Sequence, residues 1–184
     1  MKTVLVTGAT GFLGSHVLEV LMSNEGIKLI AACRNPTKLL PNFKGEVRQG
    51  DLTDSTYIKQ VTKGVDIICH AAAWTSLWAH RKDEQRLYRE PTKALIDAAI
   101  SDSVERFIFD SSVVVSRPHR DGSTINDDEP PKHPGMWPHM DIVVDIEIYV
   151  ATIKERHNDD RFALWSFCRE TFQSRIFVTF TAQT

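Results

Sequence analysis

Residues 4–14 of the chain read Val-Leu-Val-Thr-Gly-Ala-Thr-Gly-Phe-Leu-Gly, and this stretch decides the predicted fold. An apolar run stops at Gly8, glycines recur at Gly11 and Gly14, and a helical pattern of apolar residues follows. This order predicts a strand, a tight turn and a helix whose N-terminus offers N–H groups and a positive dipole end to an anion. The pattern favours a dinucleotide pyrophosphate, because Gly8 lets the chain turn, Gly11 admits the phosphates and Gly14 lets the helix pack closely on the strand.

The spacing of these glycines, Thr-Gly-x-x-Gly-x-x-Gly over residues 7–14, resembles that of the extended short-chain dehydrogenase/reductase family. That family includes sugar epimerases, dihydroflavonol-type reductases and 3β-hydroxysteroid dehydrogenases. The resemblance covers about residues 1–155, and it implies that Thr10, Phe12 and Leu13 contact the cofactor together with the glycines. The alternative is a strand-to-helix turn without a ligand, because glycines also mark ordinary turns.

Strand-like and helix-like segments alternate along the chain, which predicts a doubly wound parallel sheet with right-handed crossovers, a Rossmann fold. We predict strands over 4–6, 28–33, 46–49, 65–70 and 106–110, and helices over 12–23, 57–63, 84–101 and 141–155. Pro91 is expected to kink or delay the third of these helices. A long loop is expected over 117–140, which contains five prolines and two glycines.

The predicted domains are an NAD(P)-binding Rossmann domain over residues 1–155 and a short C-terminal tail over 156–184. Strand-prone segments at 161–168 and 174–181 suggest that the tail is a remnant of later family strands. The resemblance implies that the family's substrate domain is truncated or absent here.

Composition excludes several classes of function. The chain has 184 residues, 42% hydrophobic and 25% charged, which is typical of a globular domain. Its net charge of −2 provides no excess of positive charge for binding nucleic acid or an anionic membrane. We expect neither a membrane span nor a signal peptide. Cys33, Cys69 and Cys168 lack metal-site spacing and indicate free thiols, so we expect no metal and a cytoplasmic location.

The end of the second predicted strand indicates the choice of cofactor. In dinucleotide-binding folds, an acidic residue about 20 positions past the glycine turn binds the ribose of NAD, whereas an arginine accommodates the 2′-phosphate of NADP. Arg34 lies 20 residues past Gly14, and residues 29–36 contain no Asp or Glu. Lys38 adds a second positive charge, so the sequence favours NADP(H) over NAD(H). The alternative is that Arg34 is an ordinary solvated surface side chain.

The segment Gly50-Asp51-Leu52 resembles the family's Gly-Asp-Leu/Ile motif after the third strand. The resemblance implies that Asp51 accepts a hydrogen bond from the adenine amino group and that Leu52 lies beside it. The alternative is a helix N-cap, for which Thr53 and Asp54 are equally suited.

Three small residues, Ala71, Ala72 and Ala73, follow the fourth predicted strand, where the family has small residues beside the ribose and nicotinamide. The resemblance implies that they contact the cofactor, although alanines also suit plain close packing. Trp74 and Trp78 follow directly, and they either line an apolar substrate wall or belong to ordinary packing.

The resemblance also implies a catalytic set. Family members use a Ser at the end of the fifth strand, a Tyr as acid/base and a Lys four residues after the Tyr. The matching positions are Ser112, Tyr149 and Lys154, but here Lys154 comes five residues after the Tyr. Five residues rotate by about 140° on an α-helix, so the pair shares a face only if a π-bulge absorbs one residue. The alternative is a non-catalytic helix with an unrelated Tyr and Lys.

A second departure concerns the proton relay, because Tyr88 stands where the family has a relay Asn and Pro91 replaces a Gly.

We predict an NADP(H)-dependent oxidoreductase that transfers hydride to or from a carbonyl or alcohol of a small apolar, steroid-like or flavonoid-like substrate. The alternative is a dinucleotide-binding protein without turnover, either a redox sensor or a degenerate paralogue. The expected partner is a small-molecule substrate. The resemblance also implies a homodimer, in which two copies of the chain pair through the helix over 84–101 and the helix that contains Tyr149.

Overall fold

The computed structural model describes residues 1–74, 80–112, 115, 131–133, 135, 137–157 and 162–166. Its strands are β1 (Lys2–Thr7), β2 (Ile27–Cys33), β3 (Glu46–Gln49), β4 (Ile67–His70), β5 (Arg106–Ser111) and β6 (Phe162–Ser166). All neighbouring strands pair in parallel, and they form one sheet in the order β3-β2-β1-β4-β5-β6. The order reverses beside β1, which confirms the predicted doubly wound Rossmann sheet.

The helices are α1 (Phe12–Leu21), α2 (Ser55–Val61), α3 (Arg81–Glu84), α4 (Glu90–Ser101) and α5 (Pro138–His157). The loop expected over 117–140 is shorter than predicted at its C-terminal end, because α5 begins at Pro138. A proline suits the first position of a helix, where its missing N–H would have no intrahelical partner. The predicted strand over 174–181 lies outside the described residues.

Both faces of the sheet are buried, and β1 shows how the sequence achieves this. Leu5 packs into one core cluster with Ile68 and Phe107, whereas Val4 and Val6 pack into a second cluster with α1. Side chains alternate between the two faces of a strand, so a strand covered on both sides needs a continuous apolar run. The uninterrupted Val-Leu-Val run at residues 4–6 meets that need.

The helix expected over 84–101 is interrupted by a π-helical turn at Gln85–Arg89. The N–H of Glu90 donates to the carbonyl of Gln85, five residues back, and α4 then starts with Pro91 in its first turn. Pro91 has no N–H to donate, and in a regular α-helix its ring would clash with the carbonyl four residues earlier. Of the kink or late start expected at Pro91, the structure shows the late start, because the regular α-helix begins at Glu90 after the π-helical turn.

The sheet continues beyond the domain boundary expected at residue 155. That position falls inside α5, and β6 pairs with β5 from Phe107 opposite Phe162 to Ser111 opposite Ser166. The strand expected over 161–168 is thus present as β6, and it joins the main sheet. Among the described residues, no helix is both long and apolar enough to cross a membrane.

Candidate functional site

The turn between β1 and α1 has a backbone that requires glycine at two positions. Gly8 has φ +64°, and a Cβ there would lie 2.7 Å from the Ala71 carbonyl oxygen. A Cβ on Gly14 would lie 2.1 Å from the Gly8 carbonyl oxygen, which is a backbone clash. The N–H of Gly11 closes the turn by donating to the carbonyl of Gly8 at 2.8 Å. These contacts fit the roles that the sequence predicts for Gly8 and Gly14.

The N-terminus of α1 has backbone N–H groups that no capping side chain satisfies. Its N-cap is Gly11, which brings no capping side chain, and its first turn contains no acidic residue. The bond from Ser15 N–H to the Gly11 carbonyl, at 3.0 Å, begins the helical ladder. The N–H groups of Phe12, Leu13 and Gly14 precede it and therefore have no intrahelical acceptor. These N–H groups and the helix dipole together favour a bound phosphate.

A cleft of about 370 Å³ opens beside this turn, at the carboxyl ends of β1, β2, β3 and β4. Ten of the residues predicted to bind the cofactor line it: Gly8, Thr10, Gly11, Arg34, Lys38, Asp51, Leu52, Ala71, Ala72 and Ala73. Phe12, Leu13 and Gly14 lie in the first turn of α1 and do not belong to this lining.

Two positive side chains stand on the rim of the cleft. Arg34 and Lys38 are both exposed, and neither forms an ion pair with another described residue. Lys38 ends a short 3₁₀ turn, Pro36–Lys38, that is capped by Asn35, whose Oδ1 accepts from the Thr37 N–H at 3.1 Å. This cap fixes the chain reversal that brings Lys38 to the same cleft as Arg34.

Asp51 lies at the β3 end of the cleft. Its Oδ1 accepts from the N–H and from the hydroxyl of Thr53, each at 2.9 Å. These bonds, the backbone one first, hold the pKa of Asp51 below its usual value, with a further contribution from Arg34. The N-cap of α2 is Asp54, which accepts from the Thr56 N–H at 2.8 Å, so the capping role falls to Asp54 and not to Asp51.

A buried hydrogen-bonded chain, not anticipated from the sequence, forms the floor of the cleft. His70 Nδ1 lies 2.7 Å from the Thr7 hydroxyl, and its Nε2 lies 3.1 Å from the Thr92 hydroxyl. The Thr7 hydroxyl also accepts from the Ala72 N–H at 3.3 Å. Burial lowers the pKa of His70 to about 4, so the ring is neutral near pH 7. The feature of the sequence that could have revealed this chain is the polar residue His70 at the end of the otherwise apolar strand β4.

The structure does not bring the predicted catalytic residues into the cleft. The Tyr149 hydroxyl donates to Oδ1 of Asp97 on α4, and Lys93 Nζ lies 4.2 Å from the Tyr149 ring centroid. Helix α5 is α-helical throughout, so Tyr149 and Lys154 are separated by about 140° around its axis. Ser112 follows β5, and none of the three belongs to the described cleft lining.

A second group of titratable side chains lies behind the cleft wall. Tyr88, which lines the cleft, stacks on His139 with ring centroids 5.5 Å apart and an interplanar angle of 21°. His139 Nδ1 lies 3.2 Å from Oε2 of the fully buried Glu84. Glu84 Oε1 and Asp110 Oδ1 are buried without a hydrogen-bond partner among the described residues. Burial raises the pKa of Asp110 to about 6, while burial and then the Asp110 and Glu84 carboxylates raise that of Tyr88.

The remaining titratable thiols and possible metal ligands are unremarkable. Cys33 and Cys69 are free and buried, and burial raises the pKa of both thiols. Among the described residues, no group of three His, Cys, Asp or Glu side chains could hold a metal ion. Cys168 lies outside the described residues.

Comparison with known proteins agrees with this geometry. Residues 8–134 match the family model described as NAD(P)H-binding. The chain is 29% identical over 162 residues to a decarboxylating sterol-4-alpha-carboxylate 3-dehydrogenase from Dictyostelium discoideum, covering 83% of this chain and 48% of that protein.

Two solved structures share the fold. One is a short-chain dehydrogenase/reductase superfamily protein from Agrobacterium tumefaciens with bound NAD, with TM-score 0.71, 26% identity, and 88% of this chain and 48% of that chain covered. The other is a UDP-N-acetylglucosamine 4-epimerase from Methanobrevibacter ruminantium, with TM-score 0.74, 22% identity, and coverages of 89% and 53%. The chain spans about half the length of these relatives. By its glycine turn, its sheet order and its matched region, the chain belongs to the NAD(P)H-binding family, of the extended short-chain dehydrogenase/reductase type.

Proposed function

We propose that the chain is an NADP(H)-dependent oxidoreductase that acts on a carbonyl or alcohol of a small apolar, steroid-like or flavonoid-like substrate. The observation that carries the cofactor choice is the pair of cationic side chains, Arg34 and Lys38, on the rim of the cleft. A 2′-phosphate offers both of them an anionic partner, whereas the 2′-hydroxyl of NAD(H) offers no charge to either.

The cleft provides a group for each part of the dinucleotide. The N–H groups at the start of α1 would hold the pyrophosphate, and Arg34 with Lys38 would hold the 2′-phosphate. Both Thr53 bonds go to Oδ1 of Asp51, so its Oδ2 is the oxygen that would accept the adenine amino N–H. Ala71, Ala72 and Ala73 are small enough for the ribose and nicotinamide side to approach the backbone.

When bound, NADP(H) supplies or takes the hydride, and the chain must supply or take one proton at the substrate oxygen. In this proposal Ser112 orients that oxygen and Tyr149 transfers the proton, and Lys154 would support Tyr149 only after α5 takes up a π-bulge between the two residues. Tyr149 would then have to exchange its Asp97 hydrogen bond for one to the substrate.

A dinucleotide-binding protein without turnover is the second candidate function, and one observation favours it. The Tyr149 hydroxyl is engaged by Asp97, and the regular α-helix keeps Lys154 on another face of α5. A chain with this arrangement can bind NADP(H) as a redox sensor or persist as a degenerate paralogue, because none of its predicted catalytic side chains belongs to the described cleft lining.

The substrate class rests on two supports. Trp74 and Leu87 line the cleft near Tyr88 and give that end an apolar wall. The Dictyostelium relative is, by its name, a dehydrogenase of a sterol carboxylate. We also propose a cytoplasmic location and a homodimer, as the free thiols and the family resemblance suggest.

The test is a titration of the purified chain with NADPH and with NADH, followed by nicotinamide fluorescence. We expect NADPH to bind more tightly, and we expect Arg34→Ala to weaken NADPH about 10- to 100-fold, as loss of a charged hydrogen bond does. NADH affinity should be nearly unchanged. Lys59→Ala, at an exposed position on α2, is the matched control and should change neither affinity. Equal affinities for the two nucleotides would contradict the NADP(H) assignment, and binding of neither would remove the enzyme proposal altogether.

A further inference from the structure

We propose that the Tyr88 hydroxyl donates a hydrogen bond to the nicotinamide half of the bound dinucleotide, at the place in the cleft that Tyr149 and Lys154 do not reach. The proposal rests on the proposed function, because it needs a dinucleotide in the cleft. It assigns a binding role to a residue that departs from the family's pattern.

The sheet order places Tyr88 at the opposite end of the cleft from the adenosine site. Asp51 follows β3, at one edge of the sheet, whereas Tyr88 belongs to the crossover between β4 and β5. Strands β3 and β4 are three inter-strand spacings apart, roughly 14 Å. The glycine turn after β1 lies between them. A dinucleotide with its adenine at Asp51 and its pyrophosphate at Gly11 therefore extends its other half towards Tyr88.

The π-helical turn brings Tyr88 to this place. Leu87 and Tyr88 of the turn Gln85–Arg89 line the cleft together with Pro91 and Thr92 of the next turn. Tyr88 is buried and only 4% exposed, so its ring is part of the wall and not a mobile surface side chain.

The surroundings of Tyr88 fix both its orientation and its protonation. His139 stacks on the ring from α5 and is held in turn by Glu84 from α3. The Glu84 and Asp110 carboxylates, together with burial, raise the pKa of Tyr88. The phenol thus stays protonated near pH 7 and acts as a neutral donor, not as a proton-transferring base.

The same surroundings limit what Tyr88 can bind. An anionic group on the ligand would meet the negative potential of the buried carboxylates behind the ring. An uncharged acceptor, such as a ribose hydroxyl or the carboxamide oxygen, accepts the hydrogen bond without that repulsion. The nicotinamide half of the cofactor offers both of these groups.

The experiment compares two ligands that share the adenosine half. Dissociation constants for NADP⁺ and for adenosine 2′,5′-bisphosphate are measured by calorimetry on the wild-type chain and on Tyr88→Phe. We expect Tyr88→Phe to weaken NADP⁺ about five- to tenfold, as loss of one neutral hydrogen bond does. Its affinity for adenosine 2′,5′-bisphosphate should stay unchanged, because that ligand does not reach Tyr88. Phe keeps the ring and its stacking on His139, so retained bisphosphate binding also shows that the variant is folded.

An unchanged NADP⁺ affinity in Tyr88→Phe would overturn the inference, as would an equal loss for both ligands. The wild-type chain gives an independent check, since a held nicotinamide half must make NADP⁺ bind more tightly than the bisphosphate. Equal wild-type affinities would overturn the inference while leaving the NADP(H) site intact. If neither ligand binds the wild-type chain, the proposed function itself has failed.

Discussion

The hydroxyl of Tyr149 and the carboxylate of Asp97 join α5 to α4 by a direct hydrogen bond. Lys93, one turn before Asp97 on α4, places its ammonium over the face of the same ring. The tyrosine that family resemblance assigns to proton transfer is therefore a contact between two helices in this structure. This relationship makes the role of Tyr149 directly testable.

We predict that Tyr149→Phe lowers the free energy of unfolding by about 1 kcal/mol, because it removes one hydrogen bond to a charged acceptor but keeps the ring under Lys93. A double-mutant cycle with Asp97→Ala, measured by urea denaturation, should give a coupling energy of similar size. If Tyr149→Phe leaves stability unchanged but abolishes turnover against a panel of carbonyl compounds, the helix contact is incidental and Tyr149 is catalytic.

We predict that Gly14→Ala destabilises the chain by about 3 kcal/mol and weakens NADPH binding. The new Cβ would lie 2.1 Å from the Gly8 carbonyl, and a backbone atom cannot rotate away as a side chain can. Thermal unfolding and NADPH titration would measure the two effects. Gly26→Ala is the control, since its Cβ would meet the Asn24 side-chain oxygen at 3.2 Å, which can move. Equal stability of the two variants would contradict the packing argument.

We predict that His70 makes the protein lose stability in acid. Its pKa in the folded state is about 4, below the usual 6.5 of a histidine, because burial disfavours the imidazolium. As the pH falls from 6.5 to 4, the unfolded state binds more protons than the native state, and stability declines. His70→Gln should flatten this part of the stability–pH curve, whereas His80→Gln, at an exposed position, should not. An unaltered slope in His70→Gln would show that other groups cause the acid sensitivity.

We predict that Asp110 makes the protein lose stability as the pH rises, which is the opposite of the effect of His70. Burial raises its folded pKa to about 6 from 3.8, so the native state binds the extra proton between these values and stability falls as the pH rises through this window. Asp110→Asn removes the ionisable group. The variant should be more stable than wild type at pH 7 by about 1 kcal/mol, an amount reduced because the carboxyl is only partly shielded from water.

Urea denaturation at pH 4, 5, 6 and 7 would measure this difference. Glu19→Gln, on the exposed face of α1, is the control and should follow the wild-type curve. A constant gap between Asp110→Asn and wild type across the whole series would contradict the assigned pKa.

The sheet and the part of the cleft beside β1, β2 and β3 could be predicted because each depends on local patterns. The apolar run at residues 4–6 and the glycines after it determine one strand and one turn, whatever the rest of the chain does. Arg34, Lys38 and Asp51 each follow a strand, and the carboxyl ends of parallel strands meet at one edge of the sheet. The positions of Arg34 and Asp51 at the cleft therefore follow from strand order, and that of Lys38 also depends on the 3₁₀ turn after β2.

The other end of the cleft could not be predicted, because it depends on contacts between distant segments. Nothing near Tyr88 in the sequence indicates that His139, more than 50 residues later, stacks on its ring. Pro91 did signal a disturbed helix, but the sequence does not say whether the chain kinks or forms a π turn. The partners of Tyr149 depend on how α5 lies against α4, which no local pattern determines.

Every described residue that lines the cleft lies between Gly8 and Thr92, in the first half of the chain. The segments that carry Ser112, Tyr149 and Lys154 all come later. If the proposed function is right, nucleotide recognition and chemical turnover depend on separate stretches of the sequence. A change confined to the later stretch can alter or abolish a reaction while the earlier one retains the nucleotide, so loss of activity and loss of binding are independent events in the divergence of such chains.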